Sequence, residues 1–270
     1  MATVAEILVE TLALSGLANE GGDVKIALFV PCYVDAFFPE VAIATLQLLE
    51  RLGHEVVVPP QQTCCGQPMA NSGDQAASAA TEAHFVDTFK SYDLIVGPSG
   101  SCVHHVRLHL DACEQTPEAA HVRKSIRELI EFLHEDIKSL PPIDFKHKVG
   151  LHNGCTALRG LGHARPSERV HEPDFSKARD LLTHVGGLEI IQSDRVDECC
   201  GFGGSFCVTD EAVSSKMGQD RVADFERNGA EYIASADNSC LMHMKGIIDR
   251  EKRPLKIVHI AQILNGGPFA

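Results

Sequence analysis

The run Cys64-Cys65-Gly66 occurs a second time as Cys199-Cys200-Gly201, and that repetition sets the organisation of the chain. Around the first run, Cys32 stands 32 positions before Cys64 and Cys102 stands 37 after Cys65. Around the second, Cys155 precedes Cys199 by 44 positions and Cys240 follows Cys200 by 40. Eight of the ten cysteines therefore fall into two quartets with the same internal order. Matching quartets of thiols predict a duplicated thiolate site, which means a metal or a redox centre.

The flanks repeat as well. Copy one opens with the apolar run Val24–Val30 and stops at Pro31-Cys32; copy two opens with Lys148–His152 and reaches Cys155 through Asn153-Gly154. Each first cysteine thus lies just past the carboxyl end of an expected strand. In copy one Val41, Leu46, Leu48, Leu49 and Leu52 predict a helix ended by Gly53, followed by a strand over Glu55–Val58. In copy two Phe175, Ala178, Leu181, Leu182 and Val185 predict the same helix, ended by Gly186-Gly187, followed by a strand over Leu188–Ile191. After each double cysteine comes another helix, with Asp74 or Asp210 as its expected cap. A third strand, Asp93–Val96 or Glu231–Ala234, then leads into the closing cysteine.

The repeating β-α-β-α-β-α order predicts an α/β fold of two tandem, pseudo-symmetric lobes with parallel sheets. The expected boundaries are an N-terminal extension over 1–22, a first domain over 23–120, a linker helix over 121–146 and a second domain over 147–270. The linker helix is read from Val122, Ile126, Leu129, Ile130, Leu133 and Ile137, with Leu140-Pro141-Pro142 as its stop. Leu255–Ile260 and Ala261–Leu264 read as a last strand and short helix. In such sheets the carboxyl edge of the strands is where sites assemble, which lets distant cysteines converge.

Composition narrows the classes of function. A net charge of −13, from 37 acids against 24 Lys and Arg, repels phosphate backbones, and Trp is absent. Nucleic acid is therefore not an expected partner. No apolar run approaches the roughly 18 residues of a membrane span, and Glu6 and Glu10 interrupt the N-terminal segment, which lacks a basic start. The expected location is cytoplasmic. In a reducing compartment ten thiols do not read as five disulfides, and a bridge between neighbours such as Cys64 and Cys65 is strained. Cys113 and Cys207 stand outside the quartets; both fit small buried structural residues, and a functional role is the open alternative.

Four thiolates suit zinc, a cubane iron–sulfur cluster or a binuclear cluster. The candidate cofactor ligands are Cys32, Cys64, Cys65 and Cys102 in one copy and Cys155, Cys199, Cys200 and Cys240 in the other. The closing cysteines share a C-x-x-H pattern, which places His105 and His243 in register as candidate auxiliary ligands or hydrogen-bond donors. Arg107, Arg159 and Lys245 lie near cysteines in sequence and are candidates for holding a substrate carboxylate. No strand leads into a G-x-G-x-x-G turn, so no dinucleotide fingerprint is present, and no catalytic residue can be named.

With Phe29-Val30-Pro31-Cys32, Gln62–Pro68, Pro98–Cys102 and Cys199–Gly204, the chain resembles the cysteine-rich CCG-domain family in duplicate, over roughly residues 24 to 264. The wording around the cysteines is nearest to that family's lactate-utilisation branch. The resemblance implies an iron–sulfur subunit of a complex that oxidises L-lactate, a small 2-hydroxy acid, to pyruvate. Its implied partners are a ferredoxin-domain iron–sulfur subunit and a third small subunit. The chain departs from the family's closing C-x-x-C, which reads Ser99-x-x-Cys102 and Asp237-x-x-Cys240 here. With four thiolates per copy instead of five, a four-iron cluster is the expected cofactor and zinc the alternative. A zinc-holding docking subunit and a heterodisulfide-reductase-like thiol/disulfide oxidoreductase subunit are the rival functions.

Overall fold

The computed structural model describes residues 25–137 and 139–266. The apolar run after Lys25 forms β1 (Ile26–Leu28), whose three side chains are all buried. A strand with no exposed residue needs cover on both faces, which a parallel sheet between helices provides. β1 pairs in parallel with β2 (Val56–Val57) on one side and β3 (Ile95–Gly97) on the other, and β4 (Ile126–Glu128) pairs with β3. The second sheet is built from β5 (Lys148–Leu151), β6 (Glu189–Ile191), β7 (Tyr232–Ser235) and β8 (Lys256–His259), again all parallel. The strand orders are β2-β1-β3-β4 and β6-β5-β7-β8, so the two sheets have one topology. The expected α/β class with duplicated parallel sheets is what forms.

The chain divides between Phe132 and Leu133 into two compact units, each holding one sheet. In the first unit β1 leads through α1 (Cys32–Phe37) and α2 (Pro39–Arg51) to β2. Helices α3 (Gln67–Asn71) and α4 (Gln75–Phe89) then lead to β3, and α5 (Gly100–His109) and α6 (Pro117–Ser125) lead to β4. α7 (Leu129–Asp136) crosses the division. In the second unit a π turn (Thr156–Gly160) and α8 (Lys177–Leu182) lie between β5 and β6. There α9 (Phe206–Thr209) and α10 (Glu211–Arg227) lead to β7, α11 (Asn238–Glu251) leads to β8, and α12 (Ile260–Asn265) follows.

Asp74 caps α4 as expected, accepting from the Ala77 N–H at 3.0 Å. Asp210 sits at the N-cap of α10 but makes no cap bond; its carboxylate accepts instead from Thr209 Oγ1 at 2.8 Å. The single helix expected across Val122–Ile137 is broken by β4. Ile126 and Glu128 are both fully buried, and Ile126 registers with Ile95. An open sheet edge at β3 outweighs a helical period that Ile126 fits equally well. Glu128 then turns its Oε2 back to accept from the Ile130 N–H at 2.7 Å, which starts α7. The expected extension over 1–22 lies outside the described residues. Among the described residues, no helix is long and apolar enough to cross a membrane.

Candidate metal centre

The order β2-β1-β3-β4 places the chain's first change of direction between β1 and β3. Connections leaving those two strands diverge, and the crevice at their carboxyl ends is the position where α/β sheets bind. Cys32 opens α1 directly after β1, and Cys102 lies in the first turn of α5 directly after β3. The Cys64-Cys65 pair follows β2. In the second unit Cys155 follows β5, Cys199-Cys200 follows β6 and Cys240 follows β7 in α11.

In each unit the four thiols form a chain. Cys32 Sγ lies 3.8 Å from Cys64 Sγ. Cys65 interacts with both Cys102 and Cys64, which raise its thiol. The second unit repeats the order, with Cys155 interacting with Cys199, Cys199 with Cys200 and Cys200 with Cys240. Cys65, Cys200 and Cys240 are buried, Cys32, Cys64, Cys102 and Cys199 are half-buried, and Cys155 is exposed. All ten thiols are free of disulfides.

Adjacent thiols cannot all ionise, so they share protons unevenly. The Cys32 thiol, bonded to Cys64 and buried, is pushed up. Cys64 is pulled well down, because Cys32, Cys65 and the Gly66 N–H all stabilise its thiolate. In the second unit the bond from Cys155 pulls Cys199 down, but Cys200 and burial outweigh it and the net direction is up. Cys65 and Cys200 are both raised. Soft sulfur donors in this number fit a thiolate-held metal group, which takes all of them deprotonated. The 3.8 Å between Cys32 and Cys64 is the spacing of two thiolates on one tetrahedral ion at about 2.3 Å each.

Gly66 and Gly201 explain the third letter of the repeated run. Both hold positive φ, 97° and 90°, and each N–H points to the preceding thiol, Cys64 at 3.5 Å and Cys199 at 3.4 Å. The following helix packs a serine against each turn: Ser214 Oγ donates to the Gly201 carbonyl at 2.8 Å, while Ser78 Oγ lies 3.4 Å from the Gly66 carbonyl and gives its proton to Glu82. Ser78 and Ser214 therefore occupy the same place on α4 and α10.

From that anchor the helices can be compared turn by turn, and they differ. One turn on, α4 carries Glu82 where α10 carries Gly218. Glu82 is fully buried; its Oε1 accepts from Ser78 Oγ at 2.8 Å, and its Oε2 from the N–H groups of Ala112 and Cys113 at 2.8 and 3.1 Å. A further turn on, α4 carries Phe85 where α10 carries Arg221. Phe85 stacks edge-on against Phe29, the residue after β1, with centroids 5.0 Å apart. At the matching place after β5 stands His152, whose Nδ1 accepts from Arg221 Nε at 3.2 Å. One aromatic pair has been exchanged for a cation and an imidazole.

His152, Cys200 and Cys240 each offer a donor atom within 4.8 Å of one another, and all three residues are buried. Arg221 is fully buried, lies 4.1 Å over the Phe225 ring and pairs with Asp224 at 3.4 Å. Burial lowers it to about 10, so it stays a cation at neutral pH.

His243 turns Nε2 to a protein hydrogen-bond partner, whereas His105 Nε2 faces a carboxylate without hydrogen-bonding geometry. His105 Nε2 lies 3.3 Å from Glu82 Oε1, and burial, outweighing Glu82, keeps the ring's pKa below its usual value. His243 Nε2 donates to the Ser214 carbonyl at 3.2 Å. Arg107 is held by Glu131 at 2.6 and 3.1 Å and by the Ile126 carbonyl; Arg159 by Glu168 and Asp197; Lys245 by Asp249. Cys113 is buried beside Glu82, and Cys207 Sγ donates to the Gly204 carbonyl at 3.1 Å. The positions where the family pattern has a further thiolate are helix N-caps: Ser99 accepts from the Cys102 N–H at 3.5 Å and Asp237 from the Ser239 N–H at 3.0 Å. An oxygen serves there as a cap acceptor, which sulfur does poorly. His152, Arg221 and Glu82 were not singled out from sequence. Aligning the copies on Cys32 and Cys155 sets His152 against Phe29, a signal that was available.

A family model described as a cysteine-rich domain (CCG) matches the chain twice, over residues 26–107 and 149–245. Lactate utilization protein A of Exiguobacterium sp. is 39% identical over 253 residues, covering 90% of this chain and 98% of that protein. The proteins of the same name from Halalkalibacterium halodurans and Bacillus licheniformis are 35% and 36% identical over 246 residues, covering 89% of this chain and 96% and 99% of theirs. Among solved structures, a hypothetical protein from Helicobacter pylori matches with a TM-score of 0.51 at 11% identity over 97% of this chain. The chain spans 54% of that protein's length, and the likeness shows the fold alone. The chain thus belongs to the cysteine-rich CCG-domain family, as a homologue of lactate utilization protein A.

Proposed function

We propose that this chain is an iron–sulfur subunit of a complex that oxidises L-lactate to pyruvate, carrying electrons through centres held by its two cysteine quartets. The observation behind the reading is the pair of four-thiol chains at the carboxyl edges of two like sheets, in a homologue of lactate utilization protein A. An iron–sulfur group there would supply reversible one-electron acceptance. Lactate releases two electrons on becoming pyruvate, and two one-electron sites match that number. Cys32, Cys64, Cys65 and Cys102 would hold one group and Cys155, Cys199, Cys200 and Cys240 the other. The Gly66 and Gly201 N–H groups would stabilise thiolate at Cys64 and Cys199.

A relay role is favoured over substrate contact. Arg107, Arg159 and Lys245 are each engaged by a carboxylate of the chain itself, which leaves them poorly placed to take the carboxylate of lactate. The substrate-binding groups would then lie on partner subunits, a ferredoxin-domain iron–sulfur subunit and a third small subunit.

The 3.8 Å separation of Cys32 and Cys64 favours one second reading, a single zinc ion per quartet in a docking subunit. Metal and acid-labile sulfide analysis of anaerobically purified protein, with electron paramagnetic resonance of oxidised and reduced samples, separates the two. Iron with matching sulfide and a redox-dependent signal is the expected result. Zinc without sulfide would overturn the electron-carrying role.

A further inference from the structure

The two quartets have like thiols over unlike floors. Under the first lie Phe29 and Phe85, apolar and stacked, beside a carboxyl group and an imidazole paired with each other, Glu82 and His105. Under the second lie His152 and Arg221. A guanidinium nitrogen can only donate, so His152 Nδ1, which receives Arg221 Nε at 3.2 Å, must present its lone pair. The ring proton is then on Nε2. That atom is buried and has no hydrogen-bond partner among the described residues. A buried N–H without a partner is costly, about 1–3 kcal/mol, unless something at the site receives it. One ring nitrogen of His152 lies within 4.8 Å of the Cys200 and Cys240 sulfurs, and with Nδ1 taken by Arg221 it is Nε2 that is open to them. Arg221 Nη2 is likewise buried and unpartnered among the described residues.

The same tautomer decides between two roles for the imidazole. A metal ligand needs a lone pair on the nitrogen facing the metal, and here the lone pair faces Arg221. That favours His152 as a donor toward sulfur over His152 as a ligand.

We propose that His152, oriented by Arg221, donates an N–H hydrogen bond from Nε2 to sulfur at the second quartet, and that this makes the second site the one of higher reduction potential. Reduction adds negative charge to a sulfur-rich group. A hydrogen-bond donor stabilises that charge, and hydrogen bonds to sulfur are a recognised determinant of potential; Arg221, itself paired with Asp224, fixes which nitrogen donates. The first site has a phenyl ring in the place of the donor and another in the place of the cation. An electron shared between the two sites settles on the second. His152 is thus a positioning residue for charge, and the duplicated chain has a direction built into it. The inference rests on the iron–sulfur reading above.

The test is a potentiometric titration of the full-length protein, followed by electron paramagnetic resonance, with iron and sulfide measured on the same preparation. His152→Phe copies the first unit's Phe29, and Cys155→Ser identifies which wave belongs to the second quartet. The expected result is two waves of unequal potential, with the higher one lost in Cys155→Ser and shifted downward in His152→Phe while the lower one stays in place. Iron and sulfide with both waves unmoved in His152→Phe overturns this inference and leaves the iron–sulfur reading standing. Zinc without sulfide overturns both. Should His152→Phe fail to fold, pulsed electron paramagnetic resonance on the reduced wild type with nitrogen-15 histidine gives the answer. Weak nitrogen coupling with an exchangeable proton close to the second site is expected; a strong coupling of directly bound imidazole overturns the donor role.

Discussion

Gly201→Ala is expected to damage the second quartet through its backbone, by an amount that two matched glycines calibrate. At φ 90° an L side chain is strained by about 1–2 kcal/mol. A Cβ there would also fall 2.6 Å from the Ser214 carbonyl oxygen and 2.8 Å from Met217 Cβ. The first contact is with backbone near the start of α10, which cannot swing aside as a side chain would, so overpacking adds roughly 1–3 kcal/mol. The sum, roughly 2–5 kcal/mol, corresponds to a fall of about 1–2 M in urea midpoint for a unit of this size. Gly229 has φ 81° with nothing within 4 Å of its built Cβ, so Gly229→Ala reports the strain alone, about 1–2 kcal/mol. Gly66→Ala falls between, because its nearest contact is a side-chain atom, Glu82 Cγ at 2.9 Å. Urea unfolding of the three full-length variants gives the ranking, and metal content gives the site effect. Displacing Gly201 withdraws its N–H from Cys199 Sγ, so Gly201→Ala should lose the metal of the second quartet and keep that of the first. If Gly201→Ala unfolds no earlier than Gly229→Ala, the steric reasoning is wrong.

Ser214→Ala leaves the Gly201 carbonyl without its buried donor and should cost about 1–3 kcal/mol in the same urea assay; a cost under a few tenths would mean the hydroxyl does not hold the turn. Asp237→Ala removes the cap of α11 and should cost about 1 kcal/mol by thermal or urea unfolding, whereas Asp237→Asn should recover most of it. In metal-free protein, alkylation followed by peptide mass spectrometry should separate exposure from ionisation. Cys155 is the exposed thiol, but its pKa is raised by its bond to Cys199 and by burial of the sulfur, so its rate should climb about tenfold per pH unit through neutrality. Cys64 is lowered, hence already thiolate, and its rate should be flat between about pH 6 and 9. A Cys64 rate that climbs in parallel with that of Cys155 rejects the shared-proton account.

The strands and the place of the cysteines after them were legible because both depend on local signals. Ile26–Leu28 and Ile95–Gly97 are apolar in every position, as strands covered on both faces must be, and each runs directly into a cysteine. β4 was hidden for the opposite reason. Ile126, Leu129, Ile130 and Leu133 satisfy a helical period, and only the unpaired edge of β3, a tertiary fact, turns Ile126–Glu128 into a strand. The capping of α10 was misjudged at the same level, since Asp210 has a neighbour, Thr209, that competes for its carboxylate. The C-x-x-H histidines drew attention through spacing, but spacing does not say what a helix packs against. α4 sets Glu82 against His105, and α10 sets the Ser214 carbonyl against His243.

The duplication is most informative where the copies disagree. Thiols and glycine turn recur because each is needed to bring four sulfurs to one crevice, and altering either changes the site's geometry. The positions one shell below have no such constraint. There the first unit keeps Phe29, Phe85 and Glu82, and the second keeps His152, Arg221 and Gly218. Burying Arg221 is costly, and an apolar pair in the same fold shows that packing does not require it. A buried Arg221–Asp224 pair beside a neutral imidazole, in a fold that also accepts Phe–Phe there, is better explained by the tautomer it imposes on His152 than by packing. In an iron–sulfur protein the exchange of Phe29 and Phe85 for His152 and Arg221 would set the potentials of the two copies apart, and with them the site on which an electron rests.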